Sequence, residues 1–237
     1  MLDHGVPLHL TTARSRQAPL VLCPGDPDRA TLIARELLES AALVTRARGL
    51  LGYTGRFRGV PVTVQTTGMG GGSTAIVVHE LVELGARVLV RAGSCGGIAD
   101  GIAVGDRVVA DPALAEDGVA LALAGPGPTH PDPALAGALE AAAGAACGSA
   151  RRGAVASTDL FYDPDPGRPA RWRRAGVLAV EMEAATLYAL AARAGVRAGC
   201  LLFVANLVPG GARTGPARYR EIGLRTAEAA LAALVSA

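Results

Sequence analysis

Short apolar runs alternate along this chain with longer amphipathic stretches, the pattern that builds a sheet covered by helices. Residues 20–23 predict a strand, closed by Pro24-Gly25-Asp26-Pro27. Asp26 is placed to cap the next helix, with Pro27 at its first position, and that helix is expected to reach about Leu38. Residues 51–57 and 60–66 read as paired strands around Arg58-Gly59. Gly68 to Gly72 reads as a flexible loop, after which Ser73 opens a helix to about Leu84. Further strands are expected over 106–110, 152–157, 177–180 and 196–204, and helices over 133–143, 183–193 and 216–235. The Gly- and Pro-rich stretch 124–133 reads as an exposed loop. No repeat or linker divides the chain, so residues 1–237 are expected to form a single α/β domain.

Composition narrows the functions open to such a domain. Aromatic residues make up only 3% of the chain, so its core must be built from Ala, Val and Leu. A net charge of +2 is too mild to argue for nucleic acid or a membrane surface as a partner. The cysteines Cys23, Cys95, Cys147 and Cys200 show neither a CxxC pair nor clustering with histidine, so neither a metal site nor a disulfide framework is expected. Residues 1–12 lack a basic region followed by an apolar core, and no apolar run approaches the roughly 18 residues of a membrane span. A cytoplasmic, soluble protein is the expectation.

Three places carry candidate chemistry. In Leu89-Val90-Arg91-Ala92-Gly93-Ser94-Cys95-Gly96-Gly97 an apolar strand reaches an arginine and is expected to pass at once into a turn of small residues. A guanidinium that leaves water needs an anionic partner, and glycines let backbone N–H groups approach one, so the stretch suits a phosphate. A surface hairpin with a solvated arginine fits the same residues. Pro24-Gly25-Asp26-Pro27-Asp28-Arg29 joins a strand end, a glycine turn and a helix start, which favours an anion but also describes an ordinary turn. In Val180-Glu181-Met182-Glu183 two carboxylates stand where a strand gives way to a helix. They suit the paired hydroxyls of a ribose, and equally a helix macrodipole. Arg48, beside Gly49, reads on its own as a solvated surface charge.

Taken together the chain resembles the nucleoside phosphorylase-I family of purine nucleoside phosphorylases, uridine phosphorylases and related nucleosidases. Besides the stretches around Gly25, Arg91 and Glu183, the resemblance rests on Arg48-Gly49-Leu50-Leu51-Gly52-Tyr53-Thr54-Gly55, Gly68-Met69-Gly70 and Asp159-Leu160-Phe161-Tyr162. These motifs follow the family order from about His9 to the last helix. The resemblance implies a central mixed, twisted sheet flanked by helices and a pentosyltransferase that splits nucleosides with phosphate. Inorganic phosphate would be a co-substrate, with no cofactor and no metal. It assigns phosphate binding to Gly25, Arg29, Arg48, Arg91 and Ser94, and ribose binding to His9, Met69, Met182 and Glu183. It places the base against Phe161, Arg168, Cys95, Gly96 and Asn206, with Arg91, Glu183 and Asn206 as the catalytic set. His9 and Arg48 match residues that reach into a neighbouring subunit's site, which implies self-association, commonly as a hexamer built as a trimer of dimers.

The base is the discriminating question. Many purine members carry Ser-Asp after the strand expected over 196–204, and the aspartate protonates the departing purine. This chain has Ala205-Asn206 instead. An amide is no general acid, but it donates and accepts hydrogen bonds at once, which suits a 6-oxopurine such as inosine or guanosine better than adenine. Uridine phosphorylase is the alternative. Its members grip uracil through a glutamine and an arginine in the segment after Phe161-Tyr162, where this chain supplies Arg168 and no glutamine. A nucleosidase, which uses water, has no need of Arg29, Arg48 and Arg91 together, and a non-catalytic nucleoside-binding module is the remaining reading.

Overall fold

The computed structural model describes residues 7–237. Strands β1 (Leu20–Cys23), β3 (Gly52–Phe57), β4 (Val60–Gln65), β5 (Val88–Gly97), β6 (Arg107–Glu116), β8 (Ala150–Thr158), β9 (Ala179–Glu181) and β10 (Arg197–Leu207) join one sheet with β2 (Glu39–Thr45) and β7 (Pro128–Thr129). The helices are α1 (Pro27–Leu37), α2 (Gly70–Glu83), α3 (Gly118–Ala124), α4 (Pro133–Cys147), α5 (Arg168–Arg174), α6 (Ala184–Ala194) and α7 (Pro216–Ser236). None of these helices, among the described residues, is long and apolar enough to cross a membrane.

The sheet is mixed, and half of it closes on itself. From β5 the pairing runs through β10, β6, β8 and β9 and returns to β5, while β1, β4, β3 and β2 extend outward from β5 in that order. β5 is therefore the hinge between a closed ring and an open sheet. It pairs in parallel with β1 on one side and along its whole length with β10 on the other. Helices α2 and α6 pack on one face, and α1, α4 and α7 on the other.

Alternation along β5 decides where Arg91 points. Val88, Val90 and Ala92 enter the core under α1, α4 and α7, whereas Leu89 and Cys95 enter the core under α2 and α6. With a two-residue side-chain period, Arg91 shares the face of Leu89, Gly93 and Cys95, which is the face that carries the start of α6.

Several expectations change. The strand does not turn after Arg91; it continues through Gly93, Ser94 and Cys95 to Gly97. Its glycines serve close packing instead. A Cβ at Gly93 would come within 2.9 Å of Arg91 Nη2, and one at Gly97 within 3.0 Å of Val204 Cγ1. The Gly68–Gly72 stretch is not a loop throughout, because α2 begins at Gly70. Gly71 needs its bare Cα there, since a Cβ would lie 2.7 Å from Asp117 Oδ1. The stretch 124–133 is interrupted by the short strand β7, which pairs with β6. Strand β2 and helices α3 and α5 were not expected at all.

Candidate active site

A cleft of about 740 Å³ opens at the carboxyl ends of β1, β5 and β9, where β10 turns toward α7. Its lining includes Gly25, Arg29, Met69, Arg91, Ser94, Cys95, Gly96, Phe161, Met182, Glu183 and Asn206. Eleven of the sequence-derived candidates thus converge on one site from the β1–α1 turn, the start of α2, β5, the segment after β8, the β9–α6 junction and β10.

Arg91 forms the floor. Its guanidinium is buried, and its Nη2 donates to Glu183 Oε2, while Nε lies 3.5 Å from Glu181 Oε2. Burial opposes its charge, yet the carboxylates of Glu183 and Glu181 outweigh that cost and hold the guanidinium protonated. Among the described residues Nη1 has no hydrogen-bond partner, and Nε has only its ion-pair contact with Glu181. A buried guanidinium normally fills all its donors, so Nη1 marks a place for an anionic ligand.

The two carboxylates at the β9–α6 junction have separate tasks. Glu181 accepts from the backbone N–H groups of Glu183 and Ala184, at 2.9 Å each, and from the Ser157 hydroxyl. It therefore satisfies the start of α6, the structural role that left Glu183 ambiguous in sequence. Glu183 is thereby free to face the cleft, where Oε1 accepts from the Gly70 N–H at 2.7 Å. Burial, then the charge of Glu183, push the Glu181 carboxyl above the usual carboxylate range. Burial also raises the Cys23 thiol to about 12, so it stays a thiol beside Arg91.

Arg29 and Ser94 meet at Tyr219. Arg29 is buried beside the edge-to-face pair of Phe203 and Tyr219, and donates from Nη2 to the Tyr219 hydroxyl at 2.5 Å. The same hydroxyl lies 3.1 Å from Ser94 Oγ. Asn206 follows an irregularity in β10, where the pairing with β5 shifts register between Val204 and Asn206. Such a bulge re-aims a side chain and here turns Asn206 toward the cleft. Gly96 opposite makes room for Val208, since a Cβ there would lie 2.6 Å from Val208 Cγ2, and it is in ordinary contact range of Asn206 Nδ2. Met69 and Phe161 stand exposed at the mouth.

Three candidates lie outside this lining. Arg168 does not face the cleft; its Nη1 is 3.0 Å from Asp163 Oδ2 and its guanidinium lies over Trp172, so it supports two lining residues from behind. His9 Nδ1 is 2.6 Å from Glu80 Oε1, and Glu80 also accepts from the N–H groups of His9 and Leu10. Arg48 is exposed in a turn with φ 56°. Sequence reasoning missed Tyr219, Trp172, Asp163 and Arg213 in the lining. The scarcity of aromatics was the available signal, because two of these four belong to the 3% of the chain that is aromatic.

Residues 19–237 match the phosphorylase superfamily. Similar proteins include the DeoD-type purine nucleoside phosphorylase of Clostridium perfringens, 37% identical over 84% of this chain and 86% of that one. That of Geobacillus kaustophilus is 39% identical over 87% of this chain and 89% of its own, and that of Myxococcus xanthus 41% identical over 84% of each. With the cleft's buried arginine, its carboxylate pair and a match over nearly its whole length, the chain belongs to the phosphorylase superfamily.

Proposed function

We propose that this chain is a purine nucleoside phosphorylase, cleaving the N-glycosidic bond with inorganic phosphate to give the free base and ribose 1-phosphate. The observation that carries the reading is Arg91: a buried guanidinium whose Nη1 has no partner among the described residues, set against Glu183 in a cleft that also holds Arg29, Ser94 and Asn206. Every relative named above is called a purine nucleoside phosphorylase, which favours purine over the uridine alternative. Arg168, the residue that supported uridine, is engaged with Asp163.

The chemistry follows from what surrounds each part of the substrate. Phosphate bound by Arg91, Arg29, Ser94 and the Gly25 backbone stands next to Glu183, whose carboxylate accepts from the ribose hydroxyls. Glu183 thereby fixes the sugar so that its anomeric carbon faces the phosphate. As the glycosidic bond stretches, the ribose gains positive charge beside the phosphate and the base gains negative charge. Asn206 donates from Nδ2 to the base and accepts at Oδ1, stabilising that charge without transferring a proton. This donor–acceptor pair matches O6 and N1–H of a 6-oxopurine.

His9 and Arg48 complete a neighbouring copy's site on this reading. The φ of 56° at Arg48 holds the residue in a conformation rare outside glycine, and Leu8 and Ile76 stand exposed near the His9–Glu80 pair. The test is a panel of nucleosides assayed with phosphate present. Inosine and guanosine should exceed adenosine by at least about tenfold, the effect of one mismatched buried hydrogen-bond pair. Uridine turned over faster than inosine would contradict the purine assignment.

A further inference from the structure

We infer that Tyr219 is a positioning residue for phosphate, holding Arg29 and orienting the Ser94 hydroxyl. The inference rests on the reading of Arg29 and Ser94 as phosphate ligands and adds a residue that neither motif contains. Tyr219 lies in the first turn of α7, far in sequence from both partners, yet its hydroxyl touches both.

The direction of these hydrogen bonds is dictated by chemistry. A guanidinium only donates, so the Tyr219 oxygen accepts from Arg29 Nη2. The phenol proton is then free to be donated to Ser94 Oγ. With its oxygen already accepting, Ser94 turns its own O–H outward, toward the anion held by Arg91. One hydroxyl thus fixes a cation and sets the donor direction of a serine.

The packing around Arg29 supports the same role. Its guanidinium carbon lies 5.4 Å from the Phe203 ring centre and 5.2 Å from that of Tyr219. Those two rings meet edge to face at 5.0 Å. One helical turn beyond Tyr219, Gly223 packs against the same group, since a Cβ there would meet Phe203 Cε1 at 3.5 Å and Arg29 Nε at 3.6 Å in ordinary contact. Among the described residues no carboxylate is paired with Arg29, so the phenol is what holds its fork in place until an anion arrives.

Tyr219→Phe keeps the ring and its edge-to-face contact with Phe203, and removes only the hydroxyl. The expected result is a rise of about tenfold in the KM for phosphate, with kcat and the KM for inosine within twofold of wild type. Ser94→Ala combined with Tyr219→Phe should cost less than the product of the two single effects, because both break one chain of bonds. A phosphate KM within twofold of wild type overturns the inference, as does an equal rise in the KM for inosine. Wild-type turnover that is indifferent to phosphate overturns this inference together with the phosphorylase reading, so the two failures are distinct.

Discussion

Arg91 Nη2 donates to Glu183 Oε2 beneath the cleft, which ties the proposed holder of the attacking phosphate to the proposed holder of the ribose. The pair is buried on both sides. An ion pair in such surroundings is costly to break, because removing one member strands the other charge. Its value here lies in geometry: it sets the distance between two ligands that must meet at one carbon.

Arg91→Lys tests that geometry without removing the charge. A lysine still opposes Glu183 but loses the planar fork and the unpartnered Nη1. The kcat/KM for phosphate should fall by about a hundredfold while the unfolding midpoint stays near that of wild type. Arg91→Ala, in contrast, should destabilise the fold by roughly 3–5 kcal/mol, since Glu181 and Glu183 are left buried and uncompensated.

Asn206→Asp should raise adenosine cleavage relative to inosine by supplying a carboxylic acid where the amide stands. General acid catalysis contributes about a hundredfold or more when the group is well placed. Steady-state rates on the two nucleosides give the ratio directly. An adenosine rate at or below wild type in a folded variant would count against Asn206 as the residue that reads the base.

Glu181 predicts a particular dependence of stability on pH. Burial and the neighbouring Glu183 charge raise its native pKa above the usual 4.5, so between 4.5 and that native value the folded chain holds a proton that the unfolded chain has lost. The associated stabilisation is complete below about pH 4.5 and declines as pH rises through the native value. Glu181→Gln cannot titrate, so the stability difference should shift in the variant's favour as pH increases. Urea denaturation at several pH values measures it, and parallel pH profiles would contradict the assignment.

Asp132 offers a control away from the chemistry. It caps α4 by accepting from the Leu135 N–H at 2.8 Å, and it pairs with Arg197 at 3.0 Å. Asp132→Ala should cost about 1–2 kcal/mol of stability in chemical denaturation. Because the residue lies outside the cleft, kcat and both KM values should be unchanged.

Much of this architecture can be read from the residues, and the exceptions have physical causes. The hairpin of β3 and β4 was legible because its two apolar runs flank Arg58-Gly59, and both left-handed positions fall on that pair. The course of β5 was not legible, because Gly93 looks like a turn until the Arg91 side chain is seen occupying the space of its missing Cβ. Strand β2 was hidden because five of its seven residues are exposed at the sheet edge, so no apolar alternation marks it. For the cleft, motifs named residues whose backbone setting is local: a strand end, a helix start, a bulge. Tyr219 escaped because its role depends on α7 folding back over β1 and β5, a contact that no local pattern in 216–236 announces.

The most direct test of the central claim is the fate of inosine with and without phosphate, followed by phosphorus NMR and by release of hypoxanthine. The account predicts that base release requires phosphate, saturates with it, and yields ribose 1-phosphate in equal amount. Release at the same rate in phosphate-free buffer, with free ribose as the product, would contradict it.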